Sequence, residues 1–143
     1  MPLPRPTTIV RVFATVLGID PGLTRCGYAV LRAEGNAVKP LALGVLTTPA
    51  SMPLPQRLAS VKADLVALLH EFRADGVAVE QVFFQNNVRT AMSVGQASGL
   101  ALVEALDAGC EVAQYSPNQV KDAIAGRALL LVNDRVDVAL AKR

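Results

Sequence analysis

The stretch Val16-Leu17-Gly18-Ile19-Asp20-Pro21-Gly22 is the part of the sequence that indicates the fold most clearly. An apolar run that stops on a carboxylate and continues into a Pro-Gly turn predicts a buried strand that ends at the edge of a sheet. Burial of the strand would hold Asp20 rigidly at that edge, where a metal ion or a phosphate-bearing ligand can approach. We therefore expect a site for phosphoryl chemistry to begin here.

Three strands are predicted around this stretch. The first covers residues 10–19, the second Cys26–Ala33 and the third Val38–Thr47, with Gly35-Asn36 as a tight reversal between the last two. They predict an antiparallel meander.

A helix is predicted after the meander. Pro49, Pro53 and Pro55 predict a loop that is neither helix nor central strand. From Gln56 to Arg73 the apolar residues recur at helical spacing, and Asp75-Gly76 is expected to end the helix.

The remaining elements alternate between strand and helix. Val77–Glu80 is predicted as a short buried strand, residues 88–108 as a helix capped by Asn87, and Cys110–Tyr115 as a fifth strand. Ser116-Pro117 is expected to start a last helix. The order β-β-β-α-β-α-β-α predicts an α/β fold with a mixed five-stranded sheet and helices on both faces.

Composition limits the class of protein. The 143 residues suffice for one domain, and a net charge of +2 is too small to indicate nucleic-acid binding by itself. Cys26 and Cys110 lack the spacing of a zinc site or disulfide framework, which favours a reducing cytoplasm. No apolar run approaches the ~18–20 residues of a membrane span, so no membrane partner is expected. Residues 1–15 are interpreted as an N-terminal extension without a signal peptide.

Asp20 and Glu80 end two different predicted strands. If these strands are neighbours, two fixed carboxylates meet at one edge and require a proton or a cation, and Mg²⁺ prefers such oxygen ligands. The alternative is that each acid merely ends a strand and faces water.

Asp134 and Asp137 form a third acidic group. In a helix this spacing places both carboxylates on one face, whereas in a strand they would point to opposite faces. Four converging carboxylates could hold two cations about 3.5–4 Å apart, an arrangement that activates water against a phosphodiester.

Several motifs in collinear order resemble the RuvC Holliday-junction resolvase family. These motifs are Gly18–Gly22, Gly27–Val30, Val79–Phe83, Gly95–Gly99 and Tyr115–Lys121. The resemblance runs from about residue 16 to residue 126. It implies a ribonuclease H-like fold and a magnesium-dependent crossover junction endodeoxyribonuclease, a hydrolase that nicks two strands of a four-way junction in DNA recombination and repair.

The resemblance also implies cofactors and partners. We expect two Mg²⁺ ions per active site, with Mn²⁺ able to substitute, in a cytoplasmic homodimer that binds four-way junction DNA. The RuvA-RuvB branch-migration complex is a further implied partner. Asp20 and Glu80 match the first two catalytic, metal-binding acids of the family, and Asp134 and Asp137 are similar to its closing acidic pair.

Four residues are expected to bind DNA. Phe83 matches a family aromatic near the junction bases, and Lys121 is similar to a lysine near the scissile strand; the alternatives are a core phenylalanine and a solvated lysine. Asn86 and Arg89 belong to a polar segment suited to backbone phosphates.

The resolvase domain, residues 16–143, departs from the family pattern in being shortened between Gly126 and Asp134. Two alternative functions stay open. One is a junction-binding homologue that does not cleave, and the other is a ribonuclease H-like RNA-processing nuclease of the YqgF type.

Overall fold

The computed structural model describes residues 13–35, 37–81 and 87–116. This part of the chain forms five strands and two helices. In chain order they are β1 (Thr15–Asp20), β2 (Arg25–Glu34), β3 (Ala37–Thr47), α1 (Leu54–Phe72), β4 (Gly76–Glu80), α2 (Val88–Asp107) and β5 (Glu111–Tyr115).

The strands form one mixed sheet with the order β3-β2-β1-β4-β5. The β1–β2 and β2–β3 pairs are antiparallel, whereas β1–β4 and β4–β5 are parallel. The parallel pairs follow from the two helical crossovers. Each helix carries the chain back to the end of the sheet at which the preceding strand began, so the next strand runs in the same direction. The predicted mixed five-stranded α/β sheet is therefore confirmed.

Both described helices cover the same face of the sheet. Leu17 and Ile19 on β1 and Val77 and Val79 on β4 share that face because side chains alternate along a strand. The apolar stripes of the helices pack against them, and these contain Val61, Leu65, Leu68 and Leu69 on α1 and Ala97, Ala101 and Ala105 on α2. The alanines allow α2 to approach the sheet closely. Neither described helix combines the length and apolar character required to cross a bilayer.

Three predicted boundaries were wrong. Pro55 lies inside the first turn of α1, where a proline is tolerated because the first helical N–H groups have no intrahelical partner. The last residue of α1 is Phe72, and its C-cap Arg73 adopts the left-handed conformation with φ of 48°, while Gly76 already belongs to β4. Residues 13 and 14 precede β1 rather than extend it. The predicted helix after Ser116 lies outside the described residues.

Asp75 holds the start of the parallel strands together. Its carboxylate accepts hydrogen bonds from the backbone N–H groups of Ala14 at 2.8 Å and Thr15 at 2.9 Å. Its own N–H donates to the Thr15 carbonyl, and its carbonyl accepts from Glu111 N–H, both at 3.0 Å. This aspartate therefore links the beginnings of β1, β4 and β5.

Replacing this carboxylate should destabilise the fold. We expect Asp75→Ala to lower the free energy of unfolding by about 1–2 kcal/mol, since two charge-assisted hydrogen bonds are lost at a partly exposed position. Urea denaturation followed by circular dichroism measures the change. Asp64→Ala, at an exposed position of α1, is the control and should cost much less. Equal destabilisation by both variants would contradict this role of Asp75.

Candidate functional site

Asp20 and Glu80 occupy matching positions on neighbouring parallel strands. The β1–β4 register pairs Gly18 with Ala78 and Ile19 with Val79, so the next residue on each strand is a carboxylate. Matched positions share a face, and adjacent strands lie about 4.8 Å apart. The two acids therefore lie side by side at one edge of the sheet, on the face opposite the described helices.

The two carboxylates differ in burial. Glu80 is 4% exposed and lies between β1 and β5, where Gln81 N–H donates to the Tyr115 carbonyl at 2.6 Å. Asp20 is half-buried at the beginning of the turn that leaves the sheet. Two adjacent carboxylates in a partly dry site repel each other, so a cation is favoured between or beside them.

A glycine leaves space on the other side of Asp20. Gly27 on β2 is paired with Asp20, and a Cβ placed there would lie 3.4 Å from the Asp20 Cβ and 4.0 Å from its Oδ2. A side chain at this position would fill the volume beside the carboxylate. Gly27 therefore keeps one flank of Asp20 open to a ligand.

The donor chemistry fits a hard divalent cation. Two carboxylates at matched positions supply the oxygen ligands that Mg²⁺ and Mn²⁺ prefer. Among residues 13–35, 37–81 and 87–116, no cluster of three or more metal-ligating side chains is present. In this part of the chain the candidate ligands are therefore Asp20 and Glu80, while Asp134 and Asp137 lie outside the described residues.

Positive charge collects at the same edge. Arg25 begins β2, Arg57 lies in the first turn of α1 and Arg89 lies in the first turn of α2. Neither helix has an acidic residue in its first turn, so the positive ends of both helix dipoles are not compensated there. Three arginines and two helix N-termini therefore lie at the end of the sheet where Asp20 and Glu80 end their strands.

One of the four predicted DNA-binding residues belongs to the described structure. Arg89 is exposed, and its backbone N–H donates to the Asn87 side chain at 2.9 Å, which confirms Asn87 as the cap of α2. Ser93, one turn further along α2, contacts the turn after Asp20, which places Arg89 near that turn. Phe83, Asn86 and Lys121 lie outside the described residues.

Sequence reasoning missed the side chains that hold the turn after Asp20. Leu23 N–H donates to Ser93 Oγ at 3.2 Å, and the Leu23 carbonyl accepts from Thr48 Oγ1. Arg57 donates from Nε to Thr48 Oγ1 at 3.0 Å and from Nη2 to Thr24 Oγ1 at 2.9 Å. No sequence signal marks these residues, since on a helical pattern Arg57 and Ser93 are ordinary polar positions.

Cys26, next to this turn, has an unreactive thiol. Cys26 is fully buried, and burial is the main reason that the pKa of its thiol is raised from 9.0 to about 11. A hydrogen bond with the Gly22 backbone lowers this pKa, and the Asp20 carboxylate raises it, by smaller amounts. Burial likewise raises the pKa of Cys110. Both side chains are therefore neutral thiols near pH 7.

The chain matches a known family over most of its length. The model of the family described as crossover junction endodeoxyribonuclease RuvC matches residues 16–135. The RuvC of Syntrophomonas wolfei is 44% identical over 111 residues, which cover 78% of this chain and 64% of the relative. The RuvC of Heliobacterium modesticaldum is 45% identical over 111 residues, covering 78% and 68%. The chain thus spans about two thirds of the length of these relatives.

Solved structures give the same result. A structure of T. thermophilus RuvC in complex with a Holliday junction substrate has a TM-score of 0.74 and 38% identity, and the match covers 79% of this chain and 69% of that one. The yeast mitochondrial Holliday junction resolvase Ydc2, at 16% identity and a TM-score of 0.61, shares the fold. From the matched motifs, the sheet and these comparisons, we conclude that the chain belongs to the crossover junction endodeoxyribonuclease RuvC family.

Proposed function

We propose that the chain is a divalent-metal-dependent endonuclease that resolves Holliday junctions by paired nicks during recombination and repair. The observation that carries this proposal is the matched placement of Asp20 and Glu80 on parallel strands, within a domain that we assign to residues 16–143. Family membership supports the activity and the metal requirement. The named relative bound to a Holliday junction substrate supports the choice of DNA.

The metal is proposed to be Mg²⁺, with two ions per site and Mn²⁺ as a substitute. At such a carboxylate pair, divalent cations supply activation of a water and stabilisation of the leaving oxygen of a phosphodiester. Asp20 and Glu80 would hold the cations from the sheet, and Asp134 and Asp137 are proposed to complete the ligand set. Gly27 keeps the approach to Asp20 open.

The positive edge is proposed to bind the DNA backbone. Arg89 and the N-terminus of α2 lie at the edge that carries Glu80, because α2 follows β4 in the chain. Arginine and helix N-termini both bind phosphate oxygens without reading sequence. Asn86 and Lys121 are proposed as further backbone contacts, and Phe83 is proposed to stack on unpaired bases.

A mobile four-way junction tests the function. With Mg²⁺ present, we expect symmetric nicks in two strands of like polarity, and little cleavage of a linear duplex of the same sequence. Binding of the junction without any nick would contradict the enzyme and favour the non-cleaving homologue. Cleavage of structured RNA in preference to the junction would instead favour an RNA-processing nuclease.

A homodimer is proposed on the exposed face of α2. Val88, Met92, Val103 and Leu106 are between 56% and 73% exposed, and with Gly95 and Gly99 they recur every three or four residues. This spacing produces one continuous stripe along the helix, as in helices that pair with a second helix. Two copies of one stripe related by a two-fold axis would bury these apolar side chains.

The two glycines support helix pairing. In the described part of the chain, a Cβ added at Gly95 or Gly99 would meet no atom within 4 Å, so neither glycine is required by packing inside the protomer. Each glycine in a helix interior costs roughly 0.5–1 kcal/mol relative to alanine. Close approach of a partner helix at the centre of the stripe would offset that cost.

A charge at the centre of the stripe should separate the protomers. We expect Gly99→Arg to elute as a single chain in size-exclusion chromatography with light scattering, whereas the unmodified chain has the mass of two. Ala63→Arg, on the exposed surface of α1, is the control and should stay dimeric. A monomeric unmodified chain, or a dimeric Gly99→Arg, would contradict the proposed interface.

The proposed location is the cytoplasm, in partnership with the RuvA-RuvB branch-migration complex. The location is supported by two free buried cysteines, which a reducing compartment keeps as thiols. The partnership is an expectation from the family resemblance.

A further inference from the structure

The turn between β1 and β2 determines where Asp20 points. Asp20 is the last residue of β1, and the chain leaves the sheet at once through residues 21–24 before Arg25 begins β2. Gly27, its neighbour on β2, offers no side chain for Asp20 to pack against. The position of the Asp20 carboxylate therefore depends on how firmly the following four residues are held.

Two residues that are distant from the turn in sequence, Ser93 and Thr48, form hydrogen bonds with it. Ser93 on α2 accepts from Leu23 N–H at 3.2 Å. Thr48, which follows β3, donates its hydroxyl to the Leu23 carbonyl, and its N–H donates to the Thr24 carbonyl at 3.3 Å. Leu23 and Thr48 are buried at 2% and 3% exposure, so the hydrogen bond between the Thr48 hydroxyl and the Leu23 carbonyl lies where water cannot easily replace it.

Arg57 connects two of these contacts to α1. Its Nε donates to Thr48 Oγ1 at 3.0 Å, and its Nη2 donates to Thr24 Oγ1 at 2.9 Å. A planar guanidinium can hold two acceptors at once in fixed geometry, which an ammonium group cannot reproduce. Arg57 thereby bridges the end of the turn and the segment after β3.

The bonding of Arg57 differs from that of a surface ion pair. Within the described residues, its side chain forms no salt bridge, and both of its hydrogen-bond partners are hydroxyl oxygens of residues that contact or form the turn. An arginine that served only solubility would not need hydrogen bonds to two threonine hydroxyl groups. The two hydrogen bonds of Arg57 therefore stabilise the turn formed by residues 21–24.

We propose that Arg57 is a positioning residue for Asp20, acting through Thr24 and Thr48 to keep the 21–24 turn in the conformation in which Asp20 binds a divalent cation. This inference rests on the proposed metal-dependent function. Residues that orient a metal ligand from outside the coordination shell commonly change metal affinity by about 10–100-fold when they are replaced. Arg57 touches neither the cation nor the DNA in this role.

Calorimetric titration of the whole chain with Mn²⁺, in the absence of DNA, tests the proposal. We expect Arg57→Lys and Thr24→Val each to weaken Mn²⁺ binding about tenfold, because each removes the Nη2–Thr24 hydrogen bond. Thr24→Ser keeps the hydroxyl and should bind Mn²⁺ as the unmodified chain does. The double variant should bind no more weakly than Arg57→Lys, since both changes cut the same connection.

Arg32→Lys is the matched control, since Arg32 is exposed and pairs with Thr15 at the opposite end of the β1–β2 hairpin. Thermal unfolding of every variant separates positioning from stability. A lower melting temperature with unchanged Mn²⁺ affinity in Arg57→Lys would overturn the proposal, as would failure of Thr24→Ser to restore affinity.

The inference and the proposed function fail in different ways. If the unmodified chain binds Mn²⁺ and the variants follow the expected order, but no junction is nicked, the nuclease function is wrong and the role of Arg57 stands. If junctions are nicked and Arg57→Lys requires no more Mn²⁺ than the unmodified chain, the nuclease function stands and the role of Arg57 is wrong.

Discussion

Asp20→Asn is expected to reduce junction cleavage by about a thousandfold or more while leaving junction binding largely intact, because an amide is a poor ligand for a hard cation and carries no charge. Glu80→Gln should have an effect of similar size, since the two acids occupy matched positions on β1 and β4. Cleavage is measured on a mobile junction with Mg²⁺, and binding by electrophoretic mobility shift in Ca²⁺.

The two variants also test whether the acids act as one unit. If both hold the same cations, the double variant should cleave little more slowly than either single variant, because effects within one catalytic unit are not additive. Asp64→Asn, on the exposed surface of α1, is the control for a lost carboxylate. Full cleavage by Asp20→Asn would contradict a shared metal site. So would a double variant whose loss of cleavage rate equals the product of the two single losses.

Gly22→Ala is expected to destabilise the chain by about 2–4 kcal/mol, the largest stability effect that we anticipate. A Cβ at this position would lie 2.3 Å from the Arg25 carbonyl oxygen, a contact that the backbone must move to relieve. The turn after Asp20 is tethered at Leu23 and Thr24, so it has little freedom to move. Urea denaturation of the purified variant measures the loss.

Gly27→Ala is the matched control for Gly22→Ala. Its Cβ would meet the Asp20 Cβ at 3.4 Å, which is ordinary van der Waals contact, so stability should be nearly unchanged. The added methyl group lies beside the carboxylate, and we expect weaker metal-dependent cleavage. We assign Gly22 to the stability of the turn and Gly27 to the space beside Asp20. A destabilised Gly27→Ala with normal cleavage, or a stable Gly22→Ala, would contradict this assignment.

The strands and helices were largely predictable from local pattern. Alternating and helical apolar periods placed β2, β3, α1 and α2 within two residues of their observed bounds. One error lay at the start of β1, where residues 13 and 14 precede the strand, and the other two concerned helix ends. Pro55 was excluded from the helix although the first turn accepts it, and Arg73 rather than a glycine adopts the left-handed conformation.

The two acids were predictable as strand ends, but not as neighbours. Local pattern shows that Asp20 and Glu80 each follow a buried run, whereas their common face and register depend on the strand order and on the β1–β4 pairing. Arg57 was not predictable, because its partner Thr24 lies 33 positions away in the sequence. Such contacts arise from the tertiary structure and leave no periodic signal.

The Asp75 carboxylate lies at the opposite end of the sheet from Asp20 and Glu80, and it keeps β1 and β4 from shifting their pairing. Side chains alternate along a strand, so sliding β1 by one residue against β4 would turn Asp20 to the face opposite Glu80. Asp75 bonds to the first residues of β1 through its side chain while its own backbone leads into β4, so it locks the two strands in one alignment. The side-by-side placement of Asp20 and Glu80 is thus set at the far end of the sheet, five residues before either acid is reached.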